Sequence, residues 1–129
     1  MKIIEYLSAF AAGAFIYTVG EIMFRGYTHW TMTLTGGACL AVLYMWNELL
    51  PSGAHATRWL IGAASITLIE FAVGCVVNLG FGQHVWDYSG LRFNFLGQIS
   101  LLFSLLWCLL SIPAYALCDM IKKMLQVLE

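Results

Sequence analysis

The chain has 129 residues, of which 61% are hydrophobic and only 10% charged, and its net charge at pH 7 is -1. A mean hydropathy of +0.83 excludes an ordinary water-soluble domain. Without a basic run there is no electrostatic footprint for nucleic acid, so no nucleic-acid partner is expected.

The first residues, Met1-Lys2-Ile3-Ile4-Glu5, lead into an alanine-rich run in which Ala9-Phe10-Ala11 satisfies a signal-peptidase pattern. Cleavage there would leave a very short apolar core. The apolar character instead continues past Ala12 to Phe24, close to the ~20 residues that a spanning helix needs. The stretch from about Tyr6 to Phe24 therefore reads as a retained span. Three more apolar segments follow, at about Leu34 to Leu50, Leu60 to Leu79 and Phe95 to Leu117. Inside lipid only helices and closed barrels satisfy their own backbone, and continuous runs without period-2 alternation select helices. The fold class is all-α: residues 1–129 form one integral membrane four-helix bundle.

Four crossings put both termini and the turn Pro51-Ser52-Gly53-Ala54-His55-Ala56-Thr57-Arg58 on one side. Arg25 to Thr33 and the longer Gly80 to Asn94 lie on the other. Lys2, Arg58, Lys122 and Lys123 on the terminal side stand against Arg25 and Arg92, so the positive-inside rule expects cytoplasmic termini and outward first and third loops. A weak internal repeat pairs Val19-Gly20 with Val73-Gly74, Tyr17 with Phe71, and His29-Trp30 with His84-Val85-Trp86. Gly36 and Trp46 have the same separation as Gly97 and Trp107. Either this is chance in a low-diversity apolar chain, or two helical hairpins repeat in parallel about an axis along the membrane normal.

In lipid, polar and small residues mark the faces that meet other helices. Such stripes run through Gly13, Tyr17 and Glu21; Gly37, Tyr44 and Glu48; Ala63, Thr67, Glu70, Gly74 and Asn78; and Gly97, Ser100, Ser104, Cys108, Ser111 and Tyr115. Pro113 is expected to bend the fourth helix, with Ser111 or a neighbouring helix meeting the freed carbonyl.

Glu70 is the most informative single position. It lies on the order of 13 Å from either end of its helix at 1.5 Å per residue. An ionised carboxylate at that depth costs about 2.5 kcal/mol or more, so it faces the interior and either pairs or stays protonated. It can be a proton or cation relay, a counter-charge for a cationic substrate, or an acid that glues helices together through a serine, tyrosine or asparagine. Glu21 and Arg25, four residues apart, form either a local pair that ends the first helix or a partnership in which Glu21 reaches Arg92. Trp86, Asp87, Tyr88, Arg92 and Asn94 gather in one loop. Trp86 and Tyr88 suit a membrane interface. Asp87 can pair with Arg92, and Asn94 can cap the fourth helix, bracing a lid or plug. His29 and His84 share this end, but no spacing resembles a metal motif, and Cys39, Cys75, Cys108 and Cys118 read as packing residues. No metal, cofactor or catalytic residue is assigned.

Trp86-Asp87-Tyr88-Ser89, then Phe93-Asn94, Gly97 and Trp107, resembles the signature of the CmpB-like family of small bacterial membrane proteins, a family named for ABC-transporter permeases. Glu70 stands where that family tends to carry an acidic residue, and Gly20-Glu21 with Arg25-Gly26 is similar to its first-half pattern. Phe24 replaces an expected asparagine, and Leu91-Arg92 stands where a proline is expected. The resemblance implies a bacterial inner-membrane location and a transport role. The sequence contains no Walker motif, so ATP hydrolysis would belong to a separate ATPase subunit. Four helices make a path most easily as a homo-oligomer.

The expected function is a permease-like or channel-like transport component in a lipid bilayer, with a path through Glu70 and Asn78 and a mouth formed by Glu21, Arg25, Trp86, Asp87, Tyr88, Arg92 and Asn94. The alternative is a non-transporting membrane module that binds a lipid, a small amphiphile or a partner protein through its outer loops. A membrane enzyme ranks below both, because no nucleophile-base or metal spacing supports it.

Overall fold

A computed structural model describes residues 2–51 and 53–128 and has four long helices: α1 (Lys2–Arg25), α2 (Trp30–Leu49), α3 (His55–Gly74) and α4 (Leu101–Leu128). Ser52, in the turn between α2 and α3, lies outside the described residues. α3 runs on as a π-helical turn over Cys75–Gly80. Ahead of α4, two short strands, β1 (Asn94–Phe95) and β2 (Ile99–Ser100), pair antiparallel with Asn94 opposite Ser100.

α1, α3 with its π turn, and α4 are long and apolar enough to cross a bilayer. α2 has spanning length, 20 residues, but Thr31, Thr33, Thr35, Gly36 and Gly37 dilute its apolar character. The reason is its position: α2 has more buried residues than any other helix. A helix enclosed by its neighbours does not need the apolar surface that lipid demands.

The chain goes up and down, so that α1 and α3 run one way and α2 and α4 the other. Lys2 meets Glu48 and the Thr18 and Thr33 hydroxyls share a hydrogen bond at 2.7 Å, which lays α2 antiparallel along α1. Between these points the two backbones nearly touch. A Cβ added at Gly13 would sit 2.5 Å from the Gly36 carbonyl oxygen, and one at Gly36 would collide with the Tyr17 side chain. Small residues drive this kind of contact where no water is available to be expelled.

The bundle has a polar lining and an apolar coat. Phe15, Leu68 and Leu109 are each more than three-fifths exposed, while Thr35, Glu70, Asn78, Gln98, Ser100 and Ser111 are buried. The stripes expected from sequence lie inward: Gly13, Gly37, Tyr44, Ala63, Gly74, Gly97 and Tyr115 are buried, and Tyr17, Thr67, Ser104 and Cys108 are half-buried. α4 continues through Pro113, and the Ser111 hydroxyl donates to the Cys108 carbonyl at 2.7 Å.

The start of α4 differs from the sequence expectation. Phe95 and Leu96 look like the opening of an apolar helix, yet Leu96 and Gly97 both have positive φ, at 54° and 74°, and the β1–β2 pair takes up these residues instead. Helix begins only at Leu101. It then extends to Leu128, beyond the apolar limit at Leu117, because Asp119, Lys122 and Lys123 continue as a polar last stretch.

The apolar core lies toward the end that holds the termini, where Ala9, Leu40, Leu43, Tyr44, Tyr115 and Cys118 pack together. Just beyond it, polar groups clamp the helices. Arg58 is buried and donates to the Asn47 side-chain oxygen and to the Leu50 carbonyl at 3.2 Å. Its guanidinium lies 4.6 Å over the Tyr115 ring, whose hydroxyl donates to the Arg58 carbonyl at 2.8 Å. Asn47 also donates to Asp119 at 2.8 Å. Lys2 and Lys122 both reach Glu48, at 2.7 and 3.5 Å. Arg58 and these lysines, counted from sequence as charges on the terminal side, therefore have partners in the folded bundle.

Candidate functional site

Glu70 lies on the inward stripe of α3 and is 4% exposed. The Tyr88 hydroxyl donates to its Oε2 at 2.9 Å, and Trp107 Nε1 of α4 donates to its Oε1 at 3.3 Å. Among the described residues no lysine, arginine or histidine nitrogen pairs with this carboxyl. It is held by two neutral donors, one from a loop and one from a facing helix.

Aromatic rings surround it. Tyr88 stacks on Phe103 with centroids 4.6 Å apart and planes 12° from parallel. Phe103 leads to Trp107 at 6.0 Å, and Trp107 to Tyr17 of α1 at 6.5 Å. One turn away along α3, the Thr67 and Ser104 hydroxyls share a hydrogen bond at 2.8 Å. Burial, and then the Glu70 carboxylate beside it, push the Tyr88 phenol well above its ordinary value, so Tyr88 keeps its proton and acts as a donor.

The third loop reaches this depth because the end of α3 is built to receive it. Within the π-helical turn, Asn78 is buried and bonds in two directions. Its Nδ2 donates to Gln98 Oε1 at 2.8 Å, and its Oδ1 accepts from Val85 N at 2.7 Å. Trp86 Nε1 donates to the Gln98 carbonyl at 3.0 Å, and Tyr88 N to the Gly97 carbonyl at 2.7 Å. Gly74 makes room for this docking: a Cβ there would lie 2.6 Å from Gln98 Oε1 and 3.0 Å from the Trp86 ring. Arg25 adds an anchor from α1, donating to the Val85 carbonyl at 3.0 Å while its Nε sits 2.9 Å from Glu21.

The residues singled out in the sequence thus divide. Glu70 and Tyr88 touch each other. Asn78, Trp86, Arg25 and, through it, Glu21 hold the loop that carries Tyr88. Trp86 is buried, so it braces the loop and is not a ring at the membrane interface. Asp87, Arg92 and Asn94 make no hydrogen bond to the carboxyl. Asp87 is exposed and accepts from Ser89 N at 2.9 Å, and that backbone N–H holds its carboxyl below the usual value. Arg92 is exposed and forms no ion pair with Asp87 or Glu21 among the described residues. Asn94 closes the loop on itself, accepting from Gly97 N at 3.1 Å and donating to the Leu91 carbonyl at 2.8 Å. The cap of α4 is Ser100, whose Oγ accepts from Phe103 N at 3.2 Å. His29 caps α2 through Thr31 N at 3.3 Å, and the described residues hold no cluster of three metal-ligating side chains.

The family described as "Putative ABC-transporter type IV" matches residues 8–129. The chain belongs to this family. The type IV family match runs from α1 to the end of the sequence, so it takes in Glu70, its aromatic surround and the docked loop together. Family membership and the apolar helices make the chain an integral membrane protein of a transporter family. No match was found among curated proteins or among solved structures.

Two residues of the site escaped sequence reasoning. Gln98 is a buried amide wedged between Gly97 and the apolar run of α4, and a polar side chain at such a junction was the available signal. Trp107 stood out only as a repeat and signature anchor, although its N–H is a ready partner for a buried acid. Apart from this site, an apolar groove of about 720 Å³ opens between α2 and α3, lined by residues including Leu34, Ala38, Val73, Val76 and Phe81.

Proposed function

We propose that the chain is a permease-like or channel-like component of a membrane transport system, in which Glu70 receives a proton or a cation and the loop carrying Tyr88 guards it. The observation that carries this reading is a buried carboxyl, well inside the apolar span His55–Gly80, that has donors but, among the described residues, no cation. A carboxyl kept only to join helices could be replaced by a neutral group at less cost, whereas a transported charge needs an acid. Asn78 continues the path toward the loops. Glu21, Arg25, Trp86, Asp87, Arg92 and Asn94 form the mouth, some of them by holding the loop in place.

In this reading the protein works in a bacterial inner membrane as a homo-oligomer, with a separate ATPase subunit wherever transport is driven by ATP. The termini face the cytoplasm. The positive-inside rule acts while helices insert, before Lys2, Arg58 and Lys122 find their partners, so their later pairing does not cancel their bias.

The test is flux of protons, potassium and organic cations into liposomes that hold the full chain. Glu70→Gln is expected to abolish pH-dependent flux while the protein remains folded. Absence of flux from the unaltered chain, or flux that survives the substitution, overturns the reading. The groove between α2 and α3 favours a second reading, a non-transporting module that binds a lipid chain. In that case lipid retained through purification is lost with Val73→Trp and kept in Glu70→Gln.

A further inference from the structure

The Tyr88 side chain occupies its position as a ligand would. It comes from a loop and not from a helix, inserts a flat ring against the face of Phe103 at 4.6 Å and 12°, and places a single O–H on Glu70 Oε2 at 2.9 Å. The loop has little regular structure of its own. It also contains three non-glycine residues in the left-handed region, His84 at φ 50°, Phe93 at 55° and Leu96 at 54°. Backbone held in that region persists only while surrounding contacts enforce it.

We infer that the Glu70 site takes a planar aromatic cation, whose ring replaces that of Tyr88 against Phe103 and whose cationic N–H replaces the Tyr88 hydroxyl on the carboxyl. This rests on the reading of Glu70 as a cation-receiving group and names the class of cation.

The chemistry around the carboxyl selects this class. Phe103 offers the face on which Tyr88 stacks, so a flat group that replaces the Tyr88 ring keeps this contact and a bulky tetrahedral one loses it. Trp107 and Tyr17 supply further ring faces, and aromatic faces attract cations through their quadrupoles. A hard metal ion needs six or more oxygen ligands, or near-octahedral ones. Here it would meet one carboxyl and the Trp107 N–H, a donor that points toward it. An anion would meet a carboxylate. A neutral aromatic would gain the stacking but no ion pair.

In the closed state Tyr88 competes with the ligand, so apparent affinity is reduced by the small fraction of molecules in which the ring is out. That competition separates a ligand slot from a purely structural contact. The experiment is calorimetric titration of the full chain in detergent micelles with benzamidinium, using benzamide as the neutral probe of the same shape. Benzamidinium is expected to bind saturably, with benzamide weaker by about tenfold or more, and Tyr88→Ala is expected to tighten benzamidinium by about tenfold or more. Tyr88→Phe, which keeps the ring but lacks the hydroxyl, tightens it by a smaller factor and serves where the alanine variant fails to fold. Glu70→Gln abolishes binding with circular dichroism and elution volume unchanged. No saturable binding, equal binding of benzamide, equal binding by Glu70→Gln, or no tightening in Tyr88→Phe overturns the inference. Binding with these signatures but no flux sinks the transport reading alone. Glu70-dependent proton flux without benzamidinium binding sinks this inference alone.

Discussion

The two ends of the bundle handle buried polarity in opposite ways. At the terminal end, several polar groups are linked: Lys2 and Lys122 converge on Glu48, Arg58 donates to the Asn47 side-chain oxygen and the Leu50 carbonyl, and Asn47 donates to Asp119. The apolar core packs beside them. At the loop end a buried carboxyl, Glu70, has among the described residues a phenol and an indole N–H as its donors, and a loop supplies one of the two. The first arrangement joins residues of all four helices in a network of several contacts, which suits holding helices together. The second leaves a buried carboxyl with no counter-charge among the described residues behind a side chain that a loop supplies, which suits receiving a charge.

Substitutions can break this contrast. Arg58→Met is expected to have the largest effect on stability, about 3 kcal/mol, because it strands the Asn47 oxygen and the Leu50 carbonyl and removes the cation from the Tyr115 face. Unfolding by SDS titration in mixed micelles measures it, and a loss below 1 kcal/mol would mean that the clamp is not what holds this end. Gly36→Leu forces α1 and α2 apart and is expected to cost about 2 kcal/mol in the same assay. Glu70→Gln should fall within about 1 kcal/mol of the unaltered protein, since the amide oxygen still accepts from Tyr88 or Trp107. A loss as large as that of Arg58→Met would erase the distinction between the two ends. The smallest effect belongs to Asp87, whose carboxyl is exposed and depressed by Ser89 N–H. A depressed folded value stabilises above the unfolded value, so its contribution is present above about pH 4 and lost as pH falls below it. Asp87→Asn should remove that small slope from stability measured against pH.

The parts of this structure that were legible in the sequence are those that lipid dictates. Apolar length located the helices, and the stripe of Ala63, Thr67, Glu70, Gly74 and Asn78 faces inward because lipid leaves polar side chains nowhere else to go. α2 was located as well, although it is less apolar than the other three. Its threonines and glycines lower its apolarity because it is enclosed by other helices, and enclosure is a tertiary fact. The start of α4 was illegible because Phe95 and Leu96 suit a helix by composition, while the β1–β2 pair and the positive φ at Leu96 place them in a turn. Arg58 read as a loop cation from its neighbours Pro51 and Gly53, although a long side chain can turn back into the bundle. Glu70 was found by its depth in the apolar run and its place on the inward stripe. Tyr88 was singled out in its loop but not as the partner of Glu70, since the route of the loop depends on the π-helical turn, on the cradle at Gly74 and on Gln98.

The most direct measurement takes stability and flux from one preparation of Glu70→Gln. If the Glu70 end is built to receive a charge, pH-dependent flux into liposomes disappears while the SDS unfolding curve stays on that of the unaltered protein. Flux that persists, or flux lost only in step with a stability loss like that of Arg58→Met, would show Glu70 to be one more structural contact.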